Sequence, residues 1–164
     1  MADLKSGFNP LFLREEDLRQ GIELLFYAYR DFTGQPDAIL TELGFGRAHH
    51  RVVYFIGRNP GITVSQLLDI LKVTKQSVSR VLSQLVAEGY VFSRTGTRDR
   101  RQRMLELTEK GKELERRLSE NQRSRIARAY REAGAGAVEG YRKVLLGIID
   151  EEERERVLER LVGD

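Results

Sequence analysis

The stretch from Ile62 to Thr108 constrains the fold more than any other part of this 164-residue chain. Two short segments with apolar residues at helical spacing lie on either side of a tight turn, and two strand-like runs follow. An arginine-dense tip, Arg98 to Arg103, separates the two runs. A helix, a turn, a second helix and a basic hairpin in this order predict a winged helix-turn-helix, which lays its second helix in the major groove of DNA.

The ends of the two helices can be read from their capping residues. Thr63 is the expected N-cap of a helix from Val64 to Leu71, and Thr74 is the expected N-cap of a helix from Lys75 to Glu88. Gly89 is expected to end the second helix. We expect the turn residue and one face of each helix to be buried: Leu67, Leu68, Leu71, Val73, Val78, Val81, Leu82, Leu85 and Val86.

The outward face of the second helix carries polar side chains suited to reading base edges. Gln76 can pair with adenine, Arg80 can reach guanine or phosphate, and small serines allow close approach. The candidate DNA-binding residues of this recognition helix are Thr74, Lys75, Gln76, Ser77, Ser79, Arg80 and Ser83.

The hairpin is expected to form a wing from strands Tyr90–Arg94 and 103–107. An arginine at such a tip can enter the minor groove, where negative potential is concentrated. Asp99 would repel phosphate, so we expect it to pair with Arg101 and to fix the aim of that side chain. The candidate DNA-binding residues of the wing are Arg94, Arg98, Asp99, Arg100, Arg101 and Arg103.

Basic charge is concentrated in this module. Between Lys72 and Arg103, eight basic side chains stand against two acidic ones, a net of +6 in a chain whose total is +3, so the remainder carries −3. This distribution is typical of nucleic-acid binders. Its restriction to one region favours a specific reader over the alternative, an architectural or weakly specific DNA-binding protein without an effector. Some winged helices bind proteins instead.

Helices are expected on both flanks. The first should run from about Pro10 or Arg14 to Phe32, with Asn9 as a possible cap residue, and end at Gly34 and Pro36. A second should run from about Asp37 or Thr41 to Gly57. After Thr108 a long helix, a break at 133–136, another helix and a final segment from Glu151 to Val162 are expected.

The first helix has more apolar residues than one neighbouring helix would cover, which predicts burial against a second subunit. The fold class is therefore mainly α with a small two- to three-stranded wing, a winged helix-turn-helix plus a helical dimerisation region. We assign residues 1–36 to an N-terminal dimerisation helix, 37–108 to the DNA-binding domain and 109–164 to C-terminal dimerisation helices.

Several function classes are disfavoured by what the chain lacks. It has no cysteine and only two histidines, and no P-loop, HExxH, GxSxG or Rossmann glycine motif. We therefore expect no catalytic residue, no metal and no cofactor. No apolar run is long enough to span a bilayer and no secretory signal is evident, so we expect a cytoplasmic protein with no membrane partner.

Three stretches resemble the MarR family of bacterial transcriptional regulators: Thr74 to Arg80, Leu85 to Val91, and Asp99-Arg100-Arg101 followed by Leu107-Thr108-Glu109-Lys110-Gly111. The resemblance implies a homodimer whose terminal helices interlock and whose two winged modules bind a pseudo-palindromic double-stranded operator. It also implies that Arg101 is the minor-groove arginine and Asp99 its partner. Lys72 departs from the pattern, since many helix-turn-helix turns carry Gly there.

The family often binds small aromatic acids or phenols in a cleft beside the winged module, which weakens DNA affinity. The resemblance thus implies a repressor released by a phenolic or carboxylate effector. Adjacent histidines on a helix point about 100° apart, so they cannot form a metal pair one turn apart, and we expect at least one to be an interface or capping residue. The candidate pocket residues are Tyr27, Tyr29, Arg30, His49, His50 and Tyr54.

Overall fold

A computed structural model of the chain describes residues 11–163. A short 3-10 turn, Leu11–Leu13, precedes the first helix. The elements are α1 (Glu15–Glu42), α2 (Arg47–Arg58), β1 (Ile62–Thr63), α3 (Val64–Leu71), α4 (Lys75–Ala87), β2 (Val91–Thr95), β3 (Arg103–Leu107), α5 (Glu109–Ala133), α6 (Ala135–Ile148) and α7 (Glu151–Val162). The predicted fold class, mainly helical with a small wing, is confirmed.

The sheet is antiparallel and three-stranded, in the order β1-β3-β2. Its central strand pairs Leu105 with Ile62 on one side and Leu107 with Val91 on the other. The alternation of buried and exposed residues along β3 is the expected pattern of a strand with one face on the core. The strand β2 begins one residue later than predicted, at Val91.

The described residues form two compact units that divide between Gln122 and Arg123. The hydrophobic core lies in the first unit, where side chains of α1 to α5 and all three strands meet. In the second unit, neither α6 nor α7 has a buried residue. There the Arg154 side chain donates hydrogen bonds of 2.9 Å to the carbonyls of Gly147 and Ile149, which caps the end of α6. The core residues are Leu40, Phe45, Val52, Val53, Ile56, Ile62, Leu67, Val78, Val81, Leu82, Leu85, Tyr90, Val91, Leu105, Leu107, Leu114 and Leu118.

The predicted end of the first helix was wrong, because α1 continues through Pro36 to Glu42. A proline in a helix cannot donate to the carbonyl four residues earlier. That carbonyl belongs to Phe32, and the Gln122 side chain of α5 donates to it at 3.3 Å. The second helix accordingly starts later than predicted, at Arg47, after a turn in which Gly44 has a φ of +71°.

Other helix signals were read correctly. Thr63 and Thr74 are N-caps whose side chains accept hydrogen bonds from the helix backbone, and Gly89 follows α4 with a φ of +81°. The helix start proposed at Asn9 and Pro10 lies outside the described residues. No helix within residues 11–163 is long and apolar enough to cross a membrane.

Two residues predicted to be buried are not. Val73 is 43% exposed and Val86 is 44% exposed. The periodic pattern identifies an apolar face, but it does not show where the neighbouring elements stop covering that face. Leu68 and Leu71 are partly buried against the core, and Leu67 is fully buried.

Candidate nucleic-acid interface

The capping residue of α4 fixes where the recognition helix begins. The Thr74 hydroxyl accepts a hydrogen bond from the Ser77 backbone N–H at 3.2 Å and shares a second with the Ser77 hydroxyl at 2.8 Å. Both hydroxyls, proposed from the sequence as DNA-binding groups, are therefore engaged in the cap while remaining at the surface. A capped N-terminus presents the first turn of the helix in one orientation.

The buried side of α4 fixes its rotation. Four of the five residues predicted to face inward, Val78, Val81, Leu82 and Leu85, are buried. The opposite face is consequently exposed along three turns, and it carries Lys75, Gln76, Ser79, Arg80 and Ser83. These side chains offer amide, hydroxyl and guanidinium groups at the spacing with which a helix reads base edges.

The turn between α3 and α4 is held by Lys72, whose φ of 50° and ψ of 45° place it in the left-handed region. A side chain in that conformation costs roughly 1–2 kcal/mol relative to glycine. The backbone still closes the helix end, since the Lys72 N–H donates to the Leu68 carbonyl at 2.8 Å. The departure from glycine seen in the sequence therefore leaves the turn geometry intact.

The wing is a tight hairpin ordered by its backbone. The N–H of Gly96 donates to the carbonyl of Gln102 at 2.9 Å, and the N–H of Gln102 donates to the carbonyl of Asp99 at 3.1 Å. A Cβ at position 96 would lie 2.7 Å from the Asp99 carbonyl oxygen, so this position requires glycine. The exposed side chains of the tip are Arg98, Asp99, Arg100, Arg101 and Arg103.

Asp99 contacts the backbone of Arg101, whereas the sequence predicted a pairing that fixes the Arg101 side chain. Asp99 Oδ1 accepts a hydrogen bond from the backbone N–H of Arg101 at 2.9 Å. The carboxylate thus orders the turn that carries Arg101 and does not hold its guanidinium. Arg94 differs from the tip arginines because its guanidinium lies 3.3 Å from the carboxylate of Glu106 on the neighbouring strand.

A cluster that sequence reasoning did not assign to a role joins the wing to α4 and α5. The Thr108 hydroxyl donates to the Gly89 carbonyl at 2.6 Å and accepts from the Gly111 N–H at 3.0 Å. The Lys110 ammonium donates to the Glu88 carbonyl at 2.7 Å and lies 4.2 Å from the Tyr90 ring centroid. In the sequence, this cluster corresponds to the Leu-Thr-x-x-Gly motif at 107–111. The contacts show that the motif holds the C-terminal end of the recognition helix in place.

Gly111 allows this close packing. A Cβ there would clash with the Tyr90 carbonyl oxygen. The start of α5 therefore lies directly against the segment that links α4 to the wing.

The six candidate pocket residues lie on α1 and α2. His49 is a capping residue, as expected for at least one histidine: its Nδ1 accepts from the Gly46 N–H at 3.0 Å. Its Nε2 must then carry the proton that it shares with Gln84 Oε1 at 2.7 Å. The His49 ring also stacks on Phe45, with 4.6 Å between ring centroids. These contacts leave the His49 imidazole fully engaged.

The other candidates are divided between α1 and α2. Arg30 pairs with Asp31 at 2.8 Å and lies over the Tyr27 ring. Tyr54 makes an edge contact with Phe55. Burial lowers the pKa of His50, and the nearby carboxylates of Glu115 and Asp37 oppose that shift. Within residues 11–163, no group of three or more His, Cys, Asp or Glu side chains could hold a metal ion.

A small, mostly apolar concavity with a cavity volume of about 60 Å³ lies between α2 and the helix-turn-helix and opens to solvent. None of the six candidates lines it. Arg51 does, and its guanidinium donates to the Tyr29 hydroxyl at 3.0 Å. The exposed Val73 also lines it, which explains why this turn residue is not covered. The full lining is Ala48, Arg51, Val52, Leu71, Val73, Ser77, Val78 and Val81.

A capped, exposed recognition helix beside an arginine-tipped hairpin defines a winged helix-turn-helix DNA-binding protein. Residues 43–102 match the model of the MarR family. The chain is 56% identical over 152 residues to the HTH-type transcriptional regulator PetP of Rhodobacter capsulatus, an alignment that covers 92% of each chain. The chain belongs to the MarR family: it is a transcriptional regulator that binds DNA, and it is not an enzyme.

Solved structures share this fold. FabT of Streptococcus pneumoniae in complex with DNA superposes with a TM-score of 0.71 at 22% identity, over 88% of this chain and 99% of that one. A variant of MarR from E. coli complexed with operator DNA gives a TM-score of 0.62 at 20% identity, over 87% of this chain and 100% of that one. At this identity the likeness concerns the fold.

Proposed function

We propose that the chain acts as a homodimeric repressor that a small phenolic or carboxylate effector releases from a pseudo-palindromic operator. The observation that carries the homodimer is an uncovered apolar face on α1. Ile22 is 71% exposed, Phe26 is 63% exposed and Leu25 is 48% exposed, and a spacing of three to four residues places them on one side of the helix. Contiguous apolar surface of this kind marks an interaction site.

The second unit carries apolar surface of its own. Val144 and Ile148 of α6 and Leu161 of α7 are all exposed. Burial of apolar surface stabilises association by about 25 cal/mol per Å². Each set, taken by itself, is a surface that a second copy of this chain would cover, which supports the assignment of residues 1–36 and 109–164 to dimerisation and of 37–108 to DNA binding.

In this proposal α4 reads the major groove, with Gln76 and Arg80 on base edges and Lys75, Ser79 and Ser83 close to them. The wing reaches the adjacent minor groove, where Arg101 enters and the remaining tip arginines contact phosphates. The exposure of all these side chains supports their role, as do the relatives solved with DNA.

We propose that the effector binds in the concavity beside α4. Its apolar lining suits an aromatic ring, and the Arg51 guanidinium offers a cation for a carboxylate or N–H donors for a phenol oxygen. Val73 and Ser77 line it and belong to the turn and the first turn of the recognition helix. A bound ring would therefore contact the residues that set the orientation of α4. A change in that orientation would lower the affinity for DNA.

Sedimentation velocity, with and without a duplex selected from random DNA, tests the dimer. Ile22→Glu places a charge in the apolar face and should shift the protein from dimer to monomer and abolish tight operator binding. Gln20→Glu, at an exposed polar position on the same helix, should remain a dimer. A wild-type protein that sediments as a monomer both free and on DNA contradicts the proposal.

A further inference from the structure

The long helix α1 consists of two halves with different surroundings. From Glu15 to Asp31 no described side chain is buried. Beyond that point Thr33, Pro36 and Leu40 are buried, and Leu40 belongs to the core of the first unit. The first half is therefore an arm, and the second half is part of the body that holds the DNA-reading elements.

The change falls at the proline, where the helix has a gap in its hydrogen bonding. Pro36 has no N–H for the Phe32 carbonyl. The Gln122 side chain of α5 supplies the missing donor at 3.3 Å, although 90 residues separate the two partners. Because a partly buried carbonyl without a partner is unfavourable, this contact ties the end of the arm to α5.

A second tie joins the same point to α2. The Arg47 guanidinium donates to both carboxylate oxygens of Asp37, with its shortest contact at 2.8 Å, and also to the Thr33 hydroxyl at 3.2 Å. That hydroxyl in turn donates to the Tyr29 carbonyl at 2.8 Å. A threonine bonded back to the preceding turn tends to bend a helix. The two ties come from different elements, α5 and α2, and both contact α1 within residues 32–37.

We propose that this junction sets the direction of the arm, and that Pro36 and Gln122 are thereby positioning residues that determine the spacing between operator half-sites. The inference rests on the proposed homodimer, in which the arm contacts the second copy. The arm is about 25 Å long at roughly 1.5 Å per residue. A change of about 10° in its direction displaces its far end by roughly 4 Å, more than the rise of about 3.4 Å per base pair.

The test is a series of duplexes that carry the wild-type operator, selected from random DNA, with its centre lengthened or shortened by single base pairs. Fluorescence anisotropy gives the affinity for each duplex and for an isolated half-site. Wild-type protein should lose about tenfold or more in affinity per inserted or deleted pair. Gln122→Leu should shift the preferred spacing or flatten the preference by about fivefold, and leave half-site affinity unchanged.

The Pro36→Ala variant gives a double-mutant cycle. Alanine restores the N–H for the Phe32 carbonyl, so Pro36→Ala alone should change the spacing preference, and adding Gln122→Leu to it should have no further effect. Gln35→Leu, an exposed glutamine beside the junction, is the matched control and should behave as wild type.

Two outcomes distinguish a failure of this inference from a failure of the proposed homodimer. If the wild-type protein prefers one spacing and all variants, folded and dimeric, keep that preference within about twofold, the junction has no positioning role. If the wild-type protein shows no preferred spacing, the homodimer on two half-sites fails, and the inference fails with it.

Discussion

Asp99 holds Arg101 by its backbone: the carboxylate accepts a hydrogen bond from the Arg101 N–H at 2.9 Å, while the guanidinium stays exposed at the wing tip. The acidic residue therefore shapes the turn and leaves the cation available. An aspartate among DNA-facing arginines would be expected to repel phosphate. Its presence is explained because its carboxylate oxygen accepts a hydrogen bond within the hairpin.

Substitutions at Asp99 test whether this residue acts as a hydrogen-bond acceptor or through its negative charge. Asp99→Asn retains an oxygen acceptor and removes a negative charge from the DNA-facing tip, so operator affinity should be equal or higher. Asp99→Ala removes the acceptor, and affinity should fall about fivefold, the equivalent of roughly 1 kcal/mol for one hydrogen bond. Equal losses for both variants in an anisotropy titration would show that the charge itself matters.

Arg101 and Arg80 should affect DNA binding differently. Arg101→Ala should weaken binding to every sequence and lower the slope of log affinity against log salt by about one unit, because one phosphate-region cation is lost. Arg80→Ala should relax base preference at one position, at a cost of about 1–3 kcal/mol. Titrations of operator and random duplexes at several salt concentrations measure both effects. An unchanged affinity of Arg101→Ala would overturn the assignment of the wing.

Gly111 should be intolerant of any side chain. Gly111→Ala forces a methyl group onto the Tyr90 carbonyl and should lower the free energy of unfolding by about 1–3 kcal/mol. Gly34→Ala is the control, since nothing lies within 4 Å of its Cβ position in α1, and it should stabilise the protein by about 0.5–1 kcal/mol. Urea unfolding gives both values. A neutral Gly111→Ala would mean that the contact between α5 and Tyr90 is loose.

The proposed effector seat predicts a selective loss of response. Salicylate should release wild-type protein from its operator in a gel-shift titration. Arg51→Gln removes the cation at the concavity, so about tenfold more salicylate should be needed, with operator affinity in its absence retained. Arg58→Gln, an exposed arginine on the same helix, should respond like wild type. If no salicylate-like compound releases the wild-type protein at any concentration, the effector proposal is wrong.

The parts of the fold that sequence predicted best are those fixed by local chemistry. Thr63, Thr74 and Gly89 each determine a helix end through hydrogen bonds or a backbone angle within a few residues, and the bounds of α3 and α4 followed. Pro36 shows the opposite case. Its local rule ends a helix, yet the Gln122 side chain from a distant element compensates for the missing donor, and no local pattern contains that information.

The candidate site divides in the same way. The outward face of α4 could be predicted from periodicity, because four buried residues determine its rotation. The exposure of Val73 could not, since apolar residues that line a concavity have the same pattern as residues of the core. The engagement of His49 with Gly46 and Gln84 also depends on tertiary contacts that a pair of adjacent histidines does not reveal.

Selection of bound fragments from random DNA tests the central claim most directly. A homodimer that places two copies of α4 in successive major grooves should select a pseudo-palindrome whose half-sites lie about one helical turn, or about 10 base pairs, apart. Enrichment of a single unrepeated site, or of no sequence at all, would contradict the account of a dimeric, sequence-specific regulator.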